Sequence, residues 1–192
     1  KMLINKTASD INGSANGIVK YSIHLKPGDS KEFYVIVPFY NEVSNMITSS
    51  DNIGGDFFES VEFWKNKTDH IKFNLPKSAD RIINTYKSNL VYILINRDYA
   101  GIQPGSRSYE RSWIRDGAMT SSALLKSGIN EEIKDFIDWY TSFQYENGKV
   151  PCVIDTRGPD PVPENDSQGE LIYLIKEYFN FTHDTTFHKE KN

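Results

Sequence analysis

Near Pro76 the spacing of apolar residues changes from two to about three and a half, and that change limits what the chain can build. Upstream, Val19, Tyr21, Ile23 and Leu25 alternate with polar neighbours, as do Phe33, Val35, Val37 and Phe39. Between the two rows, KPGDSK holds Pro27 and Gly28, so residues 18–39 read as a β-hairpin closed by a turn. Pro38 ends the second strand or marks it as an edge. Two strands cannot bury an apolar face alone. The hairpin must therefore pack on helices or belong to a sandwich whose other strands precede Lys1. Downstream of Pro76 the pattern predicts helices near 79–96, 116–127, 131–146 and 167–180, with strands confined to the N-terminal part.

Each predicted helix has a stripe. Ile82, Tyr86, Leu90 and Ile93, widened by Ile83 and Leu94, read as core, as do Ile133, Phe136, Ile137, Tyr140 and Phe143. Asn130 stands where an N-cap belongs and Asn147-Gly148 where that helix stops. Trp139 lies off the stripe and is expected to pack against a neighbouring helix. Leu171, Ile172, Leu174, Ile175, Tyr178 and Phe179 form the buried side of the last helix. Phe57, Val61 and Trp64 suggest a short amphipathic connector after the polar segment 41–56. The domain reading is 1–40, the end of a β-sandwich; 41–75, a linker; and 76–192, the beginning of a helical domain.

The stretch 103–128 carries the densest chemistry. A turn at Pro104-Gly105 leads into Tyr109, Glu110, Arg111, Trp113, Arg115 and Asp116, and then into the small and apolar run that ends at Gly128. A carboxylate at a helix head is a common cap, and Asp116 fits that role. An adjacent Arg and Asp also offer a rigid donor fork and a strong acceptor, which match vicinal sugar hydroxyls, while Trp113 offers a flat face to a pyranose. A second loop, 149–163, holds four prolines and runs through Glu164 to Asp166 and Gln168 at the head of another apolar helix. Loops this long inside a compact domain are more often functional than filler. Asp166 thus stands where Asp116 stood, and the two heads should lie at one end of the helical bundle.

Trp113, Arg115 and Asp116 at the head of a small-residue helix resemble the glucoamylase-like, six-hairpin glycosidases. The run SYERSWIRDGAMTSSALL, with KVPCVID and PVPENDSQGELIYLI downstream, looks like a bacterial branch of that superfamily. The resemblance covers residues 75–187 and implies a mainly α fold, part of an (α/α) six-hairpin toroid preceded by a β-hairpin from a β-sandwich. It implies that Arg115 and Asp116 bind hydroxyls of the sugar in the innermost subsite. Trp113, Asp166 and Gln168 complete the expected substrate-binding set. Glycoside hydrolysis takes two carboxyl groups about the scissile bond. The resemblance places both in later hairpins, so Glu164 and Asp166 are the catalytic candidates this chain offers, with capping or ligand binding as their competing roles. Four helices and a hairpin do not close a ring, so the chain is expected to be a fragment. Helices cut from their neighbours should then expose a face including some of Leu171, Leu174, Tyr178 and Phe179, and self-associate through it.

Composition removes other classes. A net charge of -4 with no Lys/Arg run argues against nucleic acid. The longest apolar runs are far too short for a membrane span. One cysteine, Cys152, excludes an intrachain disulfide and a cysteine-based zinc site. His24, His70, His183 and His188 show no metal-ligand spacing, so no metal and no cofactor is expected. No nucleophile elbow, phosphate loop or dinucleotide fingerprint occurs. No apolar signal segment opens the sequence. An exported protein would carry its signal outside it, and the compartment, extracellular or periplasmic against cytoplasmic, stays open. The functional expectation is a glycoside hydrolase acting on an oligo- or polysaccharide, with phosphorolysis as related chemistry. The alternative is a non-catalytic glycan-binding or scaffold protein.

Overall fold

The computed structural model describes residues 7, 9–14, 16–18, 20–33, 35 and 53–184. The chain divides into two units, Lys1–Gly54 and Gly55–Asn192.

In the first unit the expected turn forms, and among the described residues no strand does. The Asp29 N–H donates to the Lys26 carbonyl at 3.0 Å, and the Asp29 carboxylate accepts from the Lys26 N–H at 3.1 Å. Gly28 takes the left-handed conformation that this turn requires (φ 88°). The Tyr21 and Phe33 rings meet across it at 4.7 Å. No strand ladder joins the described residues of this unit, and Tyr21, Ile23, Leu25 and Phe33 stay exposed. A two-stranded ribbon whose apolar row stays open to solvent has little to hold it. Val19, Val37, Pro38 and Phe39 lie outside the described residues.

The second unit is mainly helical. Five α-helices are described: α1 (Ile53–Asp69), α2 (Asp80–Ile95), α3 (Ile114–Lys126), α4 (Glu131–Thr141) and α5 (Ser167–Thr182). Short strands lie between them, correcting the expectation that strands stop before the helices. β1 (Arg97–Asp98) pairs antiparallel with β2 (Gly101–Ile102). β3 (Ser112–Trp113), β4 (Val153–Asp155) and β5 (Gly158–Pro159) make a three-stranded antiparallel sheet, with Ser112 opposite Ile154 and Ile154 opposite Pro159. The Ile114 N–H donates to the Cys152 carbonyl at 3.1 Å, so the strand ladder runs directly into the head of α3.

The core is built from one face each of α3, α4 and α5. Ile133, Phe136, Ile137 and Tyr140 of α4 are fully buried against Ala118, Leu124 and Leu125 of α3, with Leu171, Leu174 and Tyr178 from α5 in the same cluster. Tyr140 donates its buried hydroxyl to the Pro151 carbonyl at 3.0 Å, joining α4 to the second loop. α3 and α5 run parallel: Arg115 reaches Asp166 and Ser122 reaches Tyr173, the same sequence offset of 51 in both pairs. α4 returns the chain between them.

α1, in the region read as a linker, is fastened at its C-terminal end. Lys67 pairs with Glu132 of α4, and the His70 Nε2–H donates to the Ser127 carbonyl at the end of α3 (2.7 Å). Burial alone would raise the Glu132 carboxyl, but the Lys67 ammonium, a backbone N–H and Arg97 together bring it below its ordinary range.

Several helix details differ from the reading of the sequence. α4 ends at Thr141, five residues early, because Thr141 and Ser142 turn their hydroxyls back onto the Asp138 and Trp139 carbonyls. Asn130 stands at the N-cap of α4 without making a side-chain capping bond. On α2 only Leu90 and Leu94 are buried, and Ile82 is 70 % exposed. Tyr86 is held there by its hydroxyl on Ser127 Oγ (2.6 Å). On α5, Leu171, Leu174 and Tyr178 are buried and only Phe179 of the face expected to be bare is exposed, while Ile172, placed on the buried side, is 68 % exposed. Among the described residues no helix is long and apolar enough to cross a membrane.

Candidate functional site

The heads of α3 and α5 meet through one arginine. Arg115, in the first turn of α3, donates from Nε to Asp166 Oδ2 at 2.9 Å and from Nη2 to the same oxygen at 2.5 Å. Nη2 also donates to Glu164 Oε2 at 3.0 Å. The cluster is open to solvent, with the Arg115 side chain 49 % exposed. Arg115 is held firmly protonated, first by Asp166 and then by Glu164, and it holds the Asp166 carboxyl below the ordinary range in return.

None of these carboxylates caps its helix. Trp113, in extended conformation, occupies the N-cap of α3, which moves Asp116 into the first turn and away from the cap expected of it. Asp166 does occupy the N-cap of α5, but its side chain turns to Arg115 instead of to a backbone N–H. The Asp116 carboxylate is partly exposed and has no hydrogen-bond or ion-pair partner among the described residues. Gln168, in the first turn of α5, is partly buried and makes no side-chain hydrogen bond there either.

A second arginine makes a parallel arrangement four residues earlier. Arg111 donates from Nε to Asp155 Oδ2 at 2.8 Å and from Nη2 to Asp160 Oδ2 at 3.0 Å. Asp155 also receives the Arg157 guanidinium and N–H across the tight β4–β5 turn, where Gly158 adopts φ 99°. Arg157 is the largest cause that drives the Asp155 carboxyl far below its ordinary range, with Arg111 assisting. Asp160 is lowered first by the Val162 N–H and then by Arg111. The Arg111 guanidinium lies 5.4 Å from the centre of the Trp113 ring, a cation–π distance, and Tyr109 stands on Trp113 at 6.3 Å with the rings tilted 52°.

No protein family, curated protein or solved structure matches the chain.

Of the residues singled out from the sequence, Arg115, Glu164 and Asp166 are in direct contact. Asp116 and Trp113 stand on the same helix head, and among the described residues no hydrogen bond, ion pair or ring contact joins them to Arg115. Arg111, Asp155 and Asp160 were not assigned to the site by sequence reasoning. The available signal was the repeat of arginine at 111 and 115 about Trp113, facing a loop with acids at 155, 160, 164 and 166. Among the described residues, no three His, Cys, Asp or Glu side chains are grouped to hold a metal ion.

Chemically, the cluster offers a fixed donor fork, one carboxylate with unused acceptor capacity and a partly exposed indole. Glu164 and Asp166 accept from the same Nη2 at 3.0 and 2.5 Å. Their bound oxygens are therefore nearer together than the roughly 6.5–9.5 Å between the carboxyl groups of an inverting pair. A general acid needs a raised pKa, and Asp166 is shifted the other way.

Proposed function

We propose that this chain carries part of the sugar-binding site of a six-hairpin, glucoamylase-like glycoside hydrolase acting on an oligo- or polysaccharide. The observation that carries the reading is the Asp116 carboxylate, unpartnered at a helix head beside an arginine that two further carboxylates hold in place. A partly exposed carboxylate with no protein partner among the described residues keeps its full acceptor capacity for donors from a ligand. Vicinal hydroxyls supply them, and Trp113 supplies a face for the ring. Parallel α3 and α5 with an intervening antiparallel α4 also suit the inner and outer helices of a toroid. Trp113, Arg115, Asp116, Asp166 and Gln168 form the binding set in this reading.

Titration of the full chain with a panel of neutral oligosaccharides, followed by calorimetry and by release of reducing ends, tests both parts. Binding of at least one oligosaccharide is expected. Asp116→Asn keeps the shape and removes the charge, so affinity should fall about tenfold or more, as for a charged hydrogen bond worth roughly 1.5–3 kcal/mol. No binding by any sugar of the panel, or an Asp116→Asn variant that binds as the parent does, overturns the assignment.

A second reading has its own support. The ion pairing of Asp166 to Arg115 suits a permanently charged binding group and not an acid, which favours a non-catalytic glycan-binding protein. Release of reducing ends by this chain would exclude it, whereas binding without release fits both readings and tests the sugar site alone.

A further inference from the structure

We infer that Arg111 is a positioning residue for the candidate sugar site, holding the Trp113 indole and the acidic loop 155–160 as one unit so that a single ring face is presented. The inference rests on the sugar-binding reading above and extends it to a residue outside the binding set.

The backbone fixes where Trp113 begins but not where its ring points. Its Cα is held by pairing with Val153 in the sheet and by extended geometry (φ -87°, ψ 135°). Rotation about the side chain is left to what touches the indole. Tyr109 and Arg111 supply the contacts, and Arg111's own position is not free. Two separate nitrogens of the fork are engaged by two separate carboxylates. The Asp155 side chain is only 8 % exposed, and Asp160 is fastened through its own backbone to Val153 and to the Tyr145 hydroxyl. A guanidinium gripped at both ends makes a fixed ceiling over one face of the ring. The face under Arg111 is thereby closed to a pyranose. Loss of the fork frees the ring and dissociates it from the loop that leads to Glu164 and Asp166.

A merely structural ion pair would move the whole sheet or nothing. A positioning role moves one tryptophan, and this is directly readable. The chain has three tryptophans, so nitrogen-15 labelling of the full chain gives three indole signals, and Trp113→Phe assigns the one of interest. Arg111→Lys keeps a positive charge but cannot reach both carboxylates. It is expected to shift and broaden the Trp113 signal while Trp64 and Trp139 stay put, with the melting temperature little changed. Asp160→Asn, which cuts one arm, should give a smaller displacement of the same signal. With an oligosaccharide that binds the parent chain, Arg111→Lys should weaken affinity roughly tenfold through lost pre-organisation. An unmoved Trp113 signal, or three signals moving together, overturns the inference, and so does unchanged affinity in a variant whose Trp113 signal has moved. If the parent chain binds no sugar, the sugar reading fails, and the indole signals alone decide whether Arg111 orients Trp113. Should Arg111→Lys not fold, Asp160→Asn carries the same comparison.

Discussion

Gly117 shows how closely single atoms are set around the helix heads. A Cβ at this position would stand 2.6 Å from Cε1 of Phe136, a ring that is fully buried and has nowhere to move. Gly117→Ala is therefore expected to cost about 1–3 kcal/mol by overpacking, although alanine is the better helix former. Phe136→Leu in the same chain should recover part of the loss, and denaturant titration of the single and double variants measures that coupling. Additive losses would mean that the two residues do not meet. At this scale the sequence was informative about pairs that sit at equivalent places. Arg115 and Asp166 both head a helix, and the structure brings them within hydrogen-bond distance. Arg111 was harder to place, because its partners, at the end of a three-residue strand and just past a two-residue one, leave no periodic trace. The same holds for capping: Asn130, Asp116 and Asp166 all have cap-forming side chains near helix starts, and none makes the cap bond. Composition near a helix start tells where the helix begins, not which donor the carboxylate chooses.

Among the elements, the loop from β4 to α5 depends most on charge. Asp155, Asp160 and Asp166 have carboxyl groups below the ordinary range in the folded chain. In the unfolded chain they return to about 3.9. A depressed folded pKa contributes stability that is complete above the unfolded value and is lost as pH falls through the folded one. Thermal stability should thus be flat from neutrality to about pH 5 and decline below about pH 4. Asp155→Asn should lower stability at neutral pH and flatten the acid slope. Raising salt should weaken the exposed Arg115 pairs much more than the Asp155 pair, whose carboxylate is nearly covered. Melting curves across pH and ionic strength check this, and a slope unaffected by Asp155→Asn would dissociate the clamp from stability. Helix existence was legible from spacing, with α2, α3 and α5 found within two residues of expectation. Which part of a stripe is buried was not legible. Ile82 and Ile172 satisfy the period but extend beyond the reach of a partner helix. Periodicity describes one helix, whereas burial needs two.

For the whole molecule, the change of pattern near Pro76 correctly announced a mainly helical region. The small sheets within it escaped, because strands of two or three residues are shorter than any period they could show. The parallel placement of α3 and α5 bears on how the chain reaches this state. α3 and α4 are joined by a four-residue connection and can meet early, whereas the α3–α5 interface closes a span of 51 residues. Refolding rates should accordingly respond to Phe136→Leu at the α3–α4 contact, while Leu174→Ala on α5 should mainly hasten unfolding. Stopped-flow measurements in denaturant separate the two, and the reverse pattern would place α5 in the nucleus. On a ribosome the same order has a plain meaning. Arg115 emerges long before Glu164 and Asp166, so a nascent chain holds a solvated, unpaired guanidinium until its last described helix arrives to close the rim.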